Sequence, residues 1–231
     1  MRARLSPRRD EIRSGLLLLL ALVAAMWVLE AVNSVDHNAL SADAGIRPRN
    51  VEHLWAILTA PFLHENFYPH LLDNTIPLVF MGVIIALRGA RRLALVTLVV
   101  ILISGLGTWL ISPRGTDTFG ASGLVFGYAT YLLARGLFNR SLLEIAVGLI
   151  VGVIWGGVLV ASLVPHAGVS WQDHVCGAVG GVLAAWLLSG TRGRARSGGR
   201  RPPADGGGGQ QGRAPLGGRE LHAALDRALE H

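Results

Sequence analysis

The stretch TFGASGLVFGY, residues 118–128, places a serine among small residues at the start of an apolar segment. A hydroxyl inside such a segment is costly unless it faces a water-filled cavity or a neighbouring helix. Gly123 and Gly127 are four residues apart, and this GxxxG spacing allows two helix backbones to approach closely. The stretch therefore predicts a helix that packs tightly on a partner and carries Ser122 near its beginning.

The composition around this stretch is that of a membrane protein. Hydrophobic residues make up 51% of the 231-residue chain, and charged residues only 16%. Several apolar runs approach the ~20 residues that a helix needs to cross a bilayer. They cover residues 15–32, 70–87, 93–111, 120–134, 142–164 and 169–188. We predict an all-α polytopic membrane protein, a six-helix bundle whose membrane domain spans residues 15–190.

The two ends of the chain differ from this membrane domain. Residues 1–14 are basic, and the first apolar run resembles a signal peptide, but no clear small-residue cleavage site closes it. We therefore expect a retained anchor. Residues 191–231 are rich in Gly, Pro and Arg, a composition that predicts a disordered tail. Leu221, Leu225 and Leu229 near its end have the spacing of a short amphipathic helix.

Arginine residues mark one side of the predicted membrane domain. They precede the first run and follow the second, fourth and sixth runs, and positive residues concentrate in cytoplasmic loops. Both termini are therefore predicted to be cytoplasmic, in what we expect to be a bacterial plasma membrane. This topology, with attraction to anionic lipids of the bilayer, explains the net charge of +6, and no motif suggests a nucleic-acid partner.

The fourth run is unusually short. Only about fifteen residues precede Arg135, too few at ~1.5 Å per residue to cross ~30 Å of hydrocarbon. We therefore expect this helix to begin inside the bilayer. The preceding loop, SPRGTDTFG, would then dip into the protein or into a wet cavity, where irregular backbone is tolerated.

Polar residues of three runs are predicted to share one layer of the bundle. Counted from the cytoplasmic ends, Ser122 and His174 each lie ~20 Å along their helices. His70 and Asn74 are at a similar level on one face of the second helix. Gly177 and Gly181 follow His174 on its own face, so the histidine is expected to face the glycines of the fourth helix.

This shared layer suggests acyl-transfer chemistry. A serine hydroxyl becomes a nucleophile when a base removes its proton, and neutral histidine is the commonest base. We predict a dyad of Ser122 and His174. His70, Asn74 and the backbone N–H of Ser122 would donate hydrogen bonds to the tetrahedral oxyanion. The implied reaction is hydrolysis of a peptide bond within the membrane.

Three segments resemble the signatures of the rhomboid intramembrane serine proteases. GASGLVFGY, HVCGAVGG and HLLDN are similar to the family's GxSG, HxxGxxxG and HxxxN motifs, and the resemblance covers about residues 50–190. It implies transmembrane protein substrates, no metal and no other cofactor. The residues that match are the nucleophile Ser122, the base His174, the oxyanion donors His70 and Asn74, and the supporting residues Gly120, Gly123, Phe126, Gly177 and Gly181. Phe126 is expected to pack on the histidine.

Some positions depart from the family pattern or need a separate interpretation. Many members carry a Trp-Arg pair where this chain has Trp55-Ala56, and the interval from His64 to His70 is one residue longer than the family's. Asp73 is expected either to hydrogen-bond His70 or to face the cavity.

Two further acids are expected outside the chemistry. Adjacent helical residues point about 100° apart, so Asp173 is expected to be a solvated acid at a loop end rather than the third member of a triad with His174. Glu30, near the end of the first run, is expected at the membrane interface.

Other classes of protein fit the sequence less well. HENFYPH, residues 64–70, superficially resembles the HExxH zinc motif, but its histidines are not at i and i+4 and Pro69 interrupts the helix. A noncatalytic rhomboid-like protein that binds membrane clients usually lacks the serine or the histidine, and both are present. A small transporter is not supported, since the sequence shows no internal repeat and no paired broken helices.

Overall fold

A computed structural model describes residues 7–165 and 168–189. The predicted tail at residues 191–231 lies outside the described residues. The described part contains α1 (Pro7–Val35), α2 (Ala39–Ala44), α3 (Ala56–Thr59), α4 (Leu72–Ala86), α5 (Ala90–Ile111), α6 (Ser122–Asn139), α7 (Leu142–Ala161) and α8 (Trp171–Leu187). Short 3-10 turns lie at Val51–His53 and Ala60–Phe62, and a π-helical turn at Phe67–Leu71 leads into α4.

Each predicted apolar run coincides with one of the long helices. Within the described residues, four helical segments are long and apolar enough to cross a membrane, namely Arg8–Val35, Phe67–Ala86, Ala90–Ile111 and Leu142–Ala161. The other two long helices, α6 with 18 residues and α8 with 17, are the ones that carry Ser122 and His174.

The boundaries of two helices differ from the predicted ones. α1 already begins at Pro7, so much of the predicted basic N-terminal segment is helical. α6 continues through Arg135 to Asn139, because Arg135 is buried and its Nε atom lies 3.2 Å from Oε2 of Glu144. With 18 residues α6 is ~27 Å long at ~1.5 Å per residue. This is longer than predicted but still shorter than ~30 Å of hydrocarbon, so the start of α6 inside the bilayer stays a prediction.

α6 is the central helix of the bundle. It packs against α4, α5, α7 and α8, and most of its residues from Gly123 to Gly136 are buried. α7 is the most peripheral, with only Gly148 and Val151 buried. A central helix made largely of small and aromatic residues can present its first turn to several neighbours at once.

Glu30, which was predicted to lie at the membrane interface, is enclosed by protein atoms. Its side chain is completely buried in α1. The Ser34 hydroxyl donates to Oε1 at 3.1 Å, and the Asn33 amide donates to Oε2 at 3.5 Å. These local donors explain why the carboxyl group is tolerated inside the protein, because a buried polar group is costly only when it lacks hydrogen-bond partners.

Candidate active site

The segment before Ser122 is fixed by backbone hydrogen bonds to the first loop of the chain. Ile46 and Thr118 form an isolated antiparallel bridge, and the Gly120 amide donates to the Ala60 carbonyl at 2.9 Å. Ser122 then begins α6, and its side chain is half-buried. The loop is therefore held by protein partners, which positions the serine at the first turn of the central helix.

Gly120 allows this loop to approach α4. Its φ of +120° is a conformation that favours glycine. A Cβ atom at this position would lie 2.8 Å from Nε2 of His70 and 3.9 Å from Nδ2 of Asn74. Any side chain here would collide with His70, so the glycine brings the loop that carries Ser122 against the two predicted oxyanion donors.

His70 is held in a defined orientation at the entrance to α4. Its backbone amide donates to the Asn66 side chain at 3.0 Å, and its Nδ1 atom accepts from the Glu65 amide at 3.3 Å. An Nδ1 atom that accepts must carry the lone pair, so the ring proton lies on Nε2. Nε2 is also the atom nearest to Gly120. His70 is therefore oriented as a hydrogen-bond donor toward the Ser122 loop.

Asn74 lies one turn after His70 on the same helix face. It is buried, and its Nδ2 atom donates to the His70 carbonyl at 3.1 Å. A side-chain amide nitrogen carries two protons, so this bond uses only one of its two donors. The side chain is anchored to α4 on the side that faces Gly120.

His174 lies in the first turn of α8 and packs on α6. The rings of Phe126 and His174 are stacked, with centroids 4.3 Å apart and an interplanar angle of 10°. Phe126 is one turn after Ser122, so the imidazole lies beside the turn that carries the serine. His174 is almost completely buried.

The tautomer of His174 is set by the end of α7. Its Nδ1 atom is 2.9 Å from the backbone carbonyl of Ser162. A carbonyl can only accept, so the proton lies on Nδ1 and the basic lone pair is on Nε2. This is the tautomer that a general base acting through Nε2 requires.

Two glycine pairs bring α6 and α8 into backbone contact. A Cβ atom on Gly177 would lie 2.2 Å from the Gly123 carbonyl oxygen, and one on Gly181 would lie 2.0 Å from the Gly127 carbonyl oxygen. The helices approach as closely as the glycine spacing predicts. This contact sets Ser122 and His174 in adjacent first turns.

Asp173 is buried rather than solvated, so the prediction for this residue was wrong. Its carboxyl group accepts a short hydrogen bond from the Ser104 hydroxyl and a longer one, 3.3 Å, from Thr108. The Ser122 hydroxyl donates to Oδ2 at 3.5 Å. Packing against α5 and α6 explains the burial, because two hydroxyl groups of α5 and one of α6 replace the solvent that a loop-end acid would have.

Asp73 does not form the predicted hydrogen bond with His70. Its side chain is exposed, and no hydrogen bond joins it to His70 in the described part of the chain.

His64 is a site residue that the sequence did not single out. It is completely buried, its ring centroid is 5.0 Å from that of His70, and its Nε2 atom accepts from the Ala121 amide at 3.4 Å. Burial and the neighbouring His70 lower the pKa of His64 to about 3, so the ring is neutral and can accept this bond. The sequence contained one indication of this role, because His64 begins the segment HENFYPH that ends at His70, and this segment contacts the GASG stretch.

A cavity of about 610 Å³ opens beside this site. It is lined by loop residues before α4, α6 and α8, among them Glu65, His70, Phe119 and Trp171. His70, the predicted oxyanion donor, therefore borders an open space.

Comparison with known proteins agrees with these motifs. The family model described as Rhomboid domain matches residues 51–191. This chain belongs to the rhomboid family. It is an integral membrane protein, and the family is generally one of serine intramembrane proteases.

Bacterial relatives cover most of this rhomboid. An uncharacterized protein of Mycobacterium tuberculosis is 41% identical over 187 residues, which are 78% of this chain and 77% of the relative. An uncharacterized protein of Mycobacterium leprae is 41% identical over 190 residues, 79% and 74% of the two chains. The chloroplast protein of Arabidopsis thaliana named Rhomboid-like protein 11 is 31% identical over 154 residues, 58% and 52% of the two chains.

Proposed function

We propose that this rhomboid is a serine endopeptidase that cleaves transmembrane protein substrates, with Ser122 as nucleophile and His174 as general base. The observation that carries this proposal is the hydrogen bond from Nδ1 of His174 to the Ser162 carbonyl, which leaves the basic lone pair on Nε2 beside the first turn of α6. A buried histidine in this tautomer, next to the helix turn that begins with the serine, supports the role of a general base for that serine.

The first half of the reaction forms an acyl-enzyme. Ser122 Oγ attacks the carbonyl carbon of the scissile peptide bond while His174 Nε2 takes the hydroxyl proton. The carbonyl π electrons move to oxygen and form the tetrahedral oxyanion. When the oxyanion collapses, the C–N bond breaks and the imidazolium returns the proton to the leaving amine.

The second half uses water as the nucleophile. His174 takes a proton from a water molecule that attacks the acyl carbon, and the imidazolium then protonates Ser122 as the ester bond breaks. The two products are an amine and a carboxylic acid, and the enzyme returns to its starting state.

Charge on the oxyanion is balanced by hydrogen-bond donors from two elements. Nε2–H of His70, in the turn that leads into α4, and the second amide proton of Asn74, on α4, both lie close to Gly120. The backbone N–H of Ser122 is one of the first four amides of α6, which have no partner within their own helix. Fixed donors of this kind stabilise the transition state without reorganising during the reaction.

We further propose six membrane spans with both termini in the cytoplasm. The arginine distribution along the sequence supports this orientation. Reporter fusions after residue 195 and next to Asp43 are expected to report opposite sides of the membrane. The same side for both fusions would contradict the orientation.

Cleavage of a model single-span substrate in proteoliposomes tests the proposed function. Wild-type protein is expected to produce two fragments, and Ser122→Ala and His174→Ala are expected to produce none while remaining folded by thermal unfolding. A matched control is Ser14→Ala, which removes an exposed hydroxyl of α1. Substrate binding without cleavage by the wild type would instead indicate a noncatalytic rhomboid that binds membrane clients.

A further inference from the structure

Asp173 occupies a position that the Ser–His mechanism does not use. It cannot act as the acid of a triad, because the Nδ1 side of His174 is bonded to the Ser162 carbonyl. Yet its carboxyl group is buried and accepts hydrogen bonds from hydroxyls of two other helices, Ser104 on α5 and Ser122 on α6. The mechanism does not explain why a carboxyl group is buried where these three helices meet.

The junction lies at the beginning of α6. This helix has no side-chain cap, since its N-cap residue is Ala121. The carboxyl oxygens of Asp173 lie against Gly123, where an added Cβ atom would be 2.5 Å from Oδ2 and 2.7 Å from Oδ1. The carboxyl group from α8 therefore stands at the uncapped N-terminal end of α6, where an acidic side chain is stabilised by the helix dipole.

α5 holds the same carboxyl group from the opposite side. Ser104 and Thr108 are one turn apart on α5, and both hydroxyls donate to Oδ1 of Asp173. Both are buried. Oδ1 is thus tied to α5 while Oδ2 accepts from Ser122, so the two oxygens join different helices.

We propose that Asp173 is a positioning residue that clamps the turn carrying Ser122 to the turn carrying His174, with Ser104 and Thr108 as its anchor on α5. This role rests on the proposed protease function. The carboxyl group of Asp173 accepts a hydrogen bond from the Ser122 hydroxyl, but it does not take the proton of Ser122 in the reaction. It fixes the separation of the two first turns, which decides whether Ser122 Oγ and Nε2 of His174 meet.

The clamp also gives a local reason for Gly123. The methyl group of an alanine at this position would occupy the space of the carboxyl group and of the Ser104 hydroxyl, which would be 2.4 Å away. Gly123 therefore has two roles. Its carbonyl oxygen contacts Gly177 of α8, and its lack of a side chain leaves room for the carboxyl group of Asp173.

Steady-state cleavage by the full-length protein in detergent tests the clamp. Asp173→Ala is expected to lower kcat roughly tenfold or more with KM within about twofold, because a misplacement of the catalytic groups slows the chemical step. Asp173→Asn keeps an oxygen that accepts from Ser104 and should retain more of kcat than Asp173→Ala. Ser104→Ala loosens the anchor and should lower kcat less than Asp173→Ala does.

Thr97→Val is the matched control for these variants. Thr97 is a buried hydroxyl of the same helix, and it joins α5 to α6 through Tyr128 at 2.5 Å, away from Ser122. This variant is expected to lose thermal stability but to keep kcat within about twofold. Unchanged kcat in folded Asp173→Ala, or an equal loss of kcat in Thr97→Val, would overturn the clamp.

Failure of the clamp and failure of the protease proposal give different results. The protease proposal fails if the wild-type protein does not cleave the substrate, or if Ser122→Ala cleaves it equally well. The clamp is then tested by thermal unfolding, in which Ser104→Ala is expected to add little destabilisation to Asp173→Ala because the two groups share one hydrogen bond. Fully additive destabilisation would contradict the contact. If Asp173→Ala does not fold, Ser104→Ala and Asp173→Asn carry the kinetic test.

Discussion

The two ends of α6 hold their polar groups in different ways. At the C-terminal end, Arg135 and Arg88 both pair with Glu144, with nitrogen-to-oxygen distances of 3.2 and 2.5 Å. At the N-terminal end, the Ser122 hydroxyl meets a carboxyl group at 3.5 Å beside a stacked imidazole. The C-terminal end is held by ion pairs, whereas the N-terminal end brings together a hydroxyl, a carboxyl group and an imidazole.

This difference separates stability from chemistry along one helix. Glu144 also accepts from Asn139 at 2.7 Å, so the C-terminal cluster ties α4, α6 and α7 together through one acid. The N-terminal cluster instead contains a hydroxyl and an imidazole, the two groups whose protons move in the proposed reaction. Changes at the two ends should therefore affect different measured quantities.

Outside the proposed dyad, a large loss of turnover is expected from Gly177→Leu. A Cβ atom here would lie 2.2 Å from the Gly123 carbonyl oxygen, so the side chain would force α8 away from the first turn of α6. A shift of ~1 Å in catalytic geometry costs about a hundredfold in rate, and overpacking costs ~1–3 kcal/mol of stability. Cleavage kinetics and thermal unfolding measure the two effects. Gly157→Leu on α7, where no atom lies within 4 Å of the added Cβ, is the control and should keep full turnover.

A loss of turnover of similar size, without the cost of overpacking, is expected from Asn74→Ala. Removing one oxyanion donor costs ~3 kcal/mol of transition-state stabilisation, on the order of a hundredfold in kcat. Labelling of Ser122 by a fluorophosphonate should remain detectable, since the nucleophile is intact. Thr75→Val, which removes the hydroxyl that accepts from Trp27 at 3.2 Å, is the control from the same helix. An unchanged kcat in Asn74→Ala, with impaired folding alone, would make Asn74 a packing residue.

The smallest effect on turnover is expected at the C-terminal end. Glu144→Gln removes the charge shared by Arg88 and Arg135 and should cost ~1.5–3 kcal/mol of stability, the value of hydrogen bonds to charged groups. Its kcat should stay within about twofold of wild type in the folded protein. A large drop in kcat without loss of stability would mean that the two ends of α6 are not separable.

Local spacing made part of the site predictable. GxxxG pairs and the i to i+4 relation of His70 and Asn74 depend only on helix geometry, and the structure brings these residues to one region. The burial of Asp173 depends on Ser104 and Thr108, which lie 69 and 65 residues away. The residues around Asp173 in the sequence do not indicate that it faces the hydroxyls of α5.

The errors at the helix ends have a similar cause. Arg135 resembled a loop arginine because its partner Glu144 lies beyond the next turn of chain, on α7. His64 was overlooked because its contact with the Ala121 amide spans 57 residues. Long-range pairs of this kind are set by tertiary packing, which a single sequence does not display.

The most direct test of the dyad is labelling with a fluorophosphonate, which reacts with activated serines. Wild-type protein in liposomes should become labelled on the peptide that contains Ser122, identified by mass spectrometry. His174→Ala should lose this label, because without a base the hydroxyl is a poor nucleophile, whereas Glu144→Gln should keep it. Labelling of Ser122 that persists in folded His174→Ala, or no labelling of Ser122 in the wild type, would contradict the assignment of the two residues as nucleophile and base.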